Sequence, residues 1–189
     1  MDALVPAFIA VLLASMGDRA TWLAAILADR SGRRGQVIAG LFLAQLAVMG
    51  IAVAGALAIR DVMTPNARAL LLALSLAGAG LGAAMRPRAP TDRLERWRIG
   101  AFATSVGGSF ILALGERAQF VALGVATWGA MPLLAGAGGV IGAVIPAIVA
   151  AMLGEGAWRA LPVAAVSRGA GVLLVLTGVV MALGAIRLI

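Results

Sequence analysis

The chain has 189 residues, 62% of them apolar, a mean hydropathy of +1.05, and neither Cys nor His. An apolar share so far above the rough half of soluble domains excludes a water-soluble globule. The missing residue types exclude disulfides, Cys/His zinc sites and catalysis by a thiol or an imidazole. Fifteen arginines against eight acids give a net charge of +7, and nearly all of that excess falls between apolar runs. There it reads as a topology signal, not as a nucleic-acid surface.

Six apolar runs predict helices long enough for a hydrocarbon core of about 30 Å. The first, Leu4 to Ala28, carries Asp18 and Arg19 near its middle. No basic stretch precedes it, which argues against a cleaved signal peptide. Arg30, Arg33 and Arg34 separate it from a second run, Val37 to Ile59, and a third follows from Ala67 to Met85. Arg86, Arg88, Arg93, Arg96 and Arg98 lead into the fourth, Ile99 to Thr127, which again encloses an acid–arginine pair, Glu116 and Arg117. Leu133 to Leu153 and Gly169 to Ile186 complete the set, with Arg159 and Arg168 between them. Strand-like alternation is absent, so the expected class is an all-α integral membrane protein. The chain forms one transmembrane domain, residues 1–189, with too little loop for a soluble one.

The arginines alternate sides. Arg30 to Arg34, Arg86 to Arg98, Arg159 and Arg168 mark the cytoplasmic face, and Arg60, Arg68 and Arg187 the opposite one. Both termini are therefore expected outside a bacterial-type inner (plasma) membrane. Trp97, Trp128 and Trp158 fall at run ends, as interfacial anchors do. Gly78 with Gly82, and Gly138 with Gly142, have the spacing that lets helices approach closely in lipid. Pro132 sits at a run start, whereas Pro146 inside the fifth run predicts a kink. The scattered Met residues read as gap-fillers.

Shifting the chain by 98 residues superimposes Ser15-Met-Gly-Asp-Arg-Ala-Thr-Trp-Leu-Ala on Ala113-Leu-Gly-Glu-Arg-Ala-Gln-Phe-Val-Ala. Residues 1–85 then form one three-helix repeat, 86–98 a basic cytoplasmic linker and 99–189 a second repeat. An odd helix count inverts the second copy, a plan that in secondary transporters places paired half-sites near the bilayer midplane.

A charged side chain at that depth costs at least a few kcal/mol, so two acid–arginine pairs at matching points suggest a site. On a continuous helix Ser15, Asp18 and Thr21 share a face, and Ser105, Ser109, Glu116, Gln119 and Thr127 follow one stripe. Each arginine lies roughly 100° around from its neighbouring acid. Crossed pairs, Asp18 with Arg117 and Glu116 with Arg19, become geometrically accessible. Gly17 and Gly115 allow close approach there, or a loosened turn with free carbonyls. Trp22 and Phe120, at equivalent motif positions, would gate the site or pack beside it, and packing is the plainer role.

Asp18 and Glu116 are the candidate metal ligands, with Ser15, Thr21 and Gln119 as auxiliary oxygen donors and Arg19 and Arg117 tuning the site. Such oxygens suit Mg²⁺, Ca²⁺ or Mn²⁺. Without His, the carboxylates are also the available proton carriers. A neutral quartet that only ties the repeats together is the structural alternative.

These motifs resemble the Gdt-type cation transporter family. Its signature, Glu-x-Gly-Asp-(Lys/Arg)-(Thr/Ser), occurs once in each of two inverted three-helix repeats, and its members are linked to Mn²⁺ and Ca²⁺ movement against protons. The glycine, the second acid and the basic residue of both copies carry over, as does Gln119. The leading glutamates are replaced by Ser15 and Ala113, and the trailing hydroxyls by Ala20 and Ala118. The resemblance implies an antiporter exporting a divalent cation, Mn²⁺ before Ca²⁺, in exchange for protons. Cation, protons and the lipid bilayer are then its partners, with no resident cofactor, no nucleic acid and no enzymatic activity; an oligomer remains open. The residues alone also allow an anion or zwitterion transporter using Arg19 and Arg117, or a non-transporting scaffold.

Overall fold

A computed structural model of the chain describes residues 3–85 and 100–186. The whole of the expected basic linker, residues 86–98 with Trp97, and also Arg187 lie outside the described residues. Among those residues the chain forms eight helices: α1 (Leu4–Ser15), α2 (Arg19–Ser31), α3 (Arg34–Arg60), α4 (Pro65–Ala84), α5 (Ala101–Ala113), α6 (Arg117–Trp128), α7 (Pro132–Ala160) and α8 (Val163–Ala185). Four are long and apolar enough to cross a membrane by themselves, and the pairs α1–α2 and α5–α6 are so when taken together across their breaks, which gives four to six candidate spans. This is an all-helical, multi-pass membrane architecture, and the second, third, fifth and sixth apolar runs match α3, α4, α7 and α8 to within a few residues except at the end of α7 and the start of α8.

The first and fourth runs are not continuous helices. Met16 leaves the helical region at φ −62°, ψ 111°, Gly17 turns to φ 79°, and Asp18 is extended at φ −65°, ψ 157°. Leu114, Gly115 and Glu116 repeat those conformations at ψ 119°, φ 79° and ψ 160°. Only glycine enters the left-handed region without steric cost, so Gly17 and Gly115 set the breaks. The helices flanking them bend by 68° and 67°. The loosened turn, one of the two roles expected of these glycines, is the one observed.

Local chemistry ends the other helices in ordinary ways. Gly32 closes α2 at φ 62°, with its N–H donating to the Ala28 carbonyl at 3.1 Å. Thr64 caps α4 by accepting from the Ala67 N–H at 3.3 Å, and Pro65 opens the helix where no N–H is required. Pro132 does the same for α7.

Packing follows small residues. α7 lies on α1 because Gly138 and Gly142 have no side chain; a Cβ at Gly142 would stand 2.6 Å from the Phe8 carbonyl oxygen and 2.9 Å from the Leu12 nitrogen. α4 lies on α8 through Gly80, Gly171 and Gly178. Gly78 therefore plays no part in close packing, since nothing approaches its Cβ position within 4 Å, and Gly82 faces the side chain of Arg117 instead. α3 packs on α5 and α7, and α6 fills the space beside α3 and α4. Ala7, Val11, Ala14, Met49, Val121 and Ala122 form the centre of the core. Large apolar side chains such as Phe42, Leu74, Leu81 and Leu176 face outward, as a lipid solvent permits.

Two expectations are corrected here. α7 keeps helical dihedrals at Pro146 and breaks at Gly154, with φ 79° and ψ 173°. Trp158 is buried and meets Trp22 edge-on, with ring centroids 6.4 Å apart, so it packs rather than anchors an interface. Trp128 stays exposed at its helix end.

The break at Gly154 is held from α2. The Asp29 carboxylate accepts from the Glu155 N–H at 2.6 Å, capping the last turns of α7. A Cβ at Gly154 would run into that carboxylate. Asp29→Ala is expected to lower stability by about 1 kcal/mol, the usual cost of a lost cap. Gly154→Ala adds the strain of a left-handed alanine and is expected to cost more; thermal unfolding of both variants in detergent checks the order.

Candidate functional site

The two breaks face each other across the core. Because Asp18 and Glu116 are the residues just before α2 and α6, each carboxylate sits near the positive end of a helix dipole. Neither side chain caps its own helix. Both are left free to turn inward, and they line one cavity with Ser15, Thr21, Gln45 and Gln119. For the centre of a water-sized sphere the cavity offers ≈ 10 Å³, room for about one water or one dehydrated ion.

All five side chains expected to supply oxygen, Asp18, Glu116, Ser15, Thr21 and Gln119, are thus brought to the same space. They arrive there by the chain break, not by a continuous helical face. Ser105 and Ser109 are buried but lie outside the cavity lining, and so does Thr127. The Ser105 hydroxyl donates to the Val37 carbonyl at 2.7 Å, and that of Thr127 to Leu123 at 2.8 Å. The long polar stripe on the fourth run is therefore mostly helix-packing chemistry. Only Glu116 and Gln119 of that stripe belong to the site.

Second contacts hold the donors in place. The Thr21 hydroxyl donates to the Ser15 carbonyl at 3.4 Å, bridging the first break. Across the second, the Gly115 N–H donates to Gln119 Oε1 at 2.6 Å, while Gln119 Nε2 donates to the Val48 carbonyl at 3.4 Å. Each break is stitched by a side chain on the following helix. Thr21 keeps its lone pairs, and the Gln119 amide oxygen keeps one, for a ligand.

The arginines behave unequally. Arg117 donates to Asp18 Oδ1 from Nε at 3.0 Å and also from Nη2. Gly82 on α4 makes room for this, because a Cβ there would meet Arg117 Cδ at 2.8 Å. Arg19 is exposed, and its expected pair with Glu116 does not form. The closed neutral quartet is accordingly absent: one crossed pair exists and the other does not. Neither arginine lines the cavity. Trp22 packs against Trp158, as expected, whereas Phe120 points outward with 56% of its surface exposed and neither gates nor packs the site.

Sequence reasoning missed Gln45. It lies within α3, is 5% exposed, and its Oε1 has no hydrogen-bond partner. The available signal was a single amide in a span otherwise free of polar side chains between Gln36 and Arg60.

Two extended-to-helix turns thus present the paired acids Asp18 and Glu116 to one cavity between the helices. Residues 3–90 match the family of the divalent cation/proton antiporter GDT1. The matched segment contains the first motif and all of α1 to α4, just under half of the chain. The second motif lies beyond the matched segment, where the backbone repeats the break of the first motif residue for residue. No curated protein and no solved structure matches the chain.

Removing one partner of a buried ion pair strands the other, typically at 3–5 kcal/mol. Arg117→Gln is therefore expected to destabilise the protein by roughly that order, and Asp18→Asn combined with it to recover a large part of the loss. A double-mutant cycle on thermal stability in detergent measures the coupling; additive effects would show that the contact contributes nothing.

Proposed function

We propose that the protein is a secondary transporter that exports a divalent cation, Mn²⁺ before Ca²⁺, in exchange for protons. The carrying observation is the cavity: six oxygen-bearing side chains converge on it and no arginine lines it. The GDT1 match of residues 3–90 supports the same class, a cation/proton antiporter and not an enzyme.

The charge count favours a cation. Arg117 pairs with Asp18, Arg19 is exposed and makes no salt bridge with Glu116, and Glu116 lies beside Asp18 with both arginines near enough to act on its charge. Two unit charges 4 Å apart interact by about 4 kcal/mol at an effective dielectric constant of 20, so two carboxylates lining a cavity that no arginine lines favour a cation there. An anion would meet that carboxylate with no lining cation to receive it. Six oxygen-bearing side chains around one small cavity suit a hard divalent cation such as Mn²⁺ or Ca²⁺.

Asp18 and Glu116 bind the ion and release it when protonated, with Ser15, Thr21 and Gln119 completing the shell. Arg117 serves as the latch: when the ion arrives, it competes with the guanidinium for Asp18. The halves 1–85 and 99–189 act as inverted repeats that rock about the central site, giving each side of the membrane access in turn. Several helix pairings support this, since α1 on α7 corresponds to α5 on α3, and α2 on α7 to α6 on α3. The membrane is a bacterial-type inner membrane, with both termini outside.

Asp18→Asn and Glu116→Gln are each expected to abolish Mn²⁺-dependent proton flux in proteoliposomes while the purified variants still fold. Unchanged flux in both would reject the assignment.

A further inference from the structure

Among the cavity-lining side chains, Gln45 has a buried acceptor that nothing satisfies. Asp18 has Arg117, Thr21 donates to Ser15, and both ends of the Gln119 amide are engaged. Gln45 Oε1 has no partner, and neither does the Ser15 hydroxyl, which is 3% exposed. Both residues line the same space as the two carboxylates. Leaving a polar atom buried and unpaired usually costs about 1–3 kcal/mol, and such atoms are rare in native interiors.

Nothing in the neighbourhood explains Gln45 as packing. The surrounding α3 positions Leu41, Ala44, Val48 and Met49 are apolar and buried, and an apolar residue there would carry no desolvation cost. Shifting by the 98-residue repeat places Ala143 opposite Gln45, and Ala143 also lines the cavity. The amide is therefore present in one half only. A donor needed for tying the halves together would be expected from both; a donor needed for a single central ligand is required once.

We infer that Gln45 is a direct ligand of the transported divalent cation, supplying a neutral amide oxygen from α3, with the Ser15 hydroxyl as its companion from the end of α1. This rests on the cation-transport reading and specifies its coordination shell. A neutral carbonyl-type oxygen adds to the shell of a hard cation without adding charge. With one carboxylate offset by Arg117, the neutral donors replace hydration waters while leaving the net attraction modest, which favours release as well as capture.

The test is Mn²⁺ binding to the purified full-length protein by isothermal titration, paired with Mn²⁺-driven proton flux in proteoliposomes. Gln45→Met, close in size but without a hard donor, is expected to weaken Mn²⁺ binding by on the order of tenfold. Gln45→Glu, which replaces the amide by a carboxylate, is expected to tighten it and slow turnover, an effect a merely structural role would not produce. Should Gln45→Met fail to fold, Gln45→Glu alone decides. Glu116→Gln separates the two levels of the argument. Loss of binding in Glu116→Gln with wild-type binding in both Gln45 variants would overturn the role of Gln45 and leave the transport reading standing. Absence of Mn²⁺ and Ca²⁺ binding in the wild-type protein would overturn both.

Discussion

A carboxylate in the middle of a membrane protein is expensive unless something charged stands beside it, and the Asp18–Arg117 contact is how this fold meets that demand. It joins the N-terminus of α2 to the first turn of α6, and therefore one half of the molecule to the other. The contact depends on several otherwise unrelated features. Gly17 must break the first span so that Asp18 faces inward, Gly115 must break the fourth so that Arg117 reaches across, and Gly82 must leave space for the arginine stem. Removing any of them leaves a buried charge without its partner.

The asymmetry of the charged group is what turns a structural tie into a site. Had both crossed pairs formed, two acids would have been cancelled by two arginines, and a cation would have gained little from entering. Arg19 instead is exposed and makes no salt bridge with Glu116, whose carboxylate lines the same small cavity as Asp18. Helix breaks contribute a second element. They convert backbone that would be locked in a helix into turns whose following residues, Thr21 and Gln119, reach back and hold the geometry. In hydrocarbon such irregular backbone is tolerated where protein buries it, as at Gly17 and Asp18 of the first break, whereas Leu114 and Gly115 of the second are exposed and only Glu116 turns toward the cavity.

Glycine acts in two distinct ways. At Gly17, Gly115 and Gly154 it permits a left-handed backbone, and each of these positions ends one helical segment and begins another. At Gly138, Gly142, Gly80 and Gly171 it permits helix backbones to touch, which is how α1 meets α7 and α4 meets α8. Without a hydrophobic driving force between helices in lipid, this close contact is a main source of cohesion. Gly17 and Gly115 shape the site, Gly154 ends the long part of α7 against Asp29, and the second group holds the scaffold around them.

The sequence by itself determined the membrane class, the approximate spans and the identity of the paired acids, because hydropathy, composition and the cost of charge in lipid are local properties of the chain. It also pointed to Ser15, Thr21 and Gln119, though by a helical-face argument that the broken spans replace. Tertiary structure alone decided which crossed pair forms, since that depends on whether the neighbouring helix leaves room, as Gly82 does for Arg117. It likewise decided that Gly154, and not Pro146, breaks α7, because the break is held by Asp29 from another helix. Gly78 and Gly80 are indistinguishable by composition, yet only Gly80 faces a partner. Gln45 stands out in the sequence only as a lone amide in an apolar span, and its meaning comes from the two carboxylates that line the same cavity in the fold.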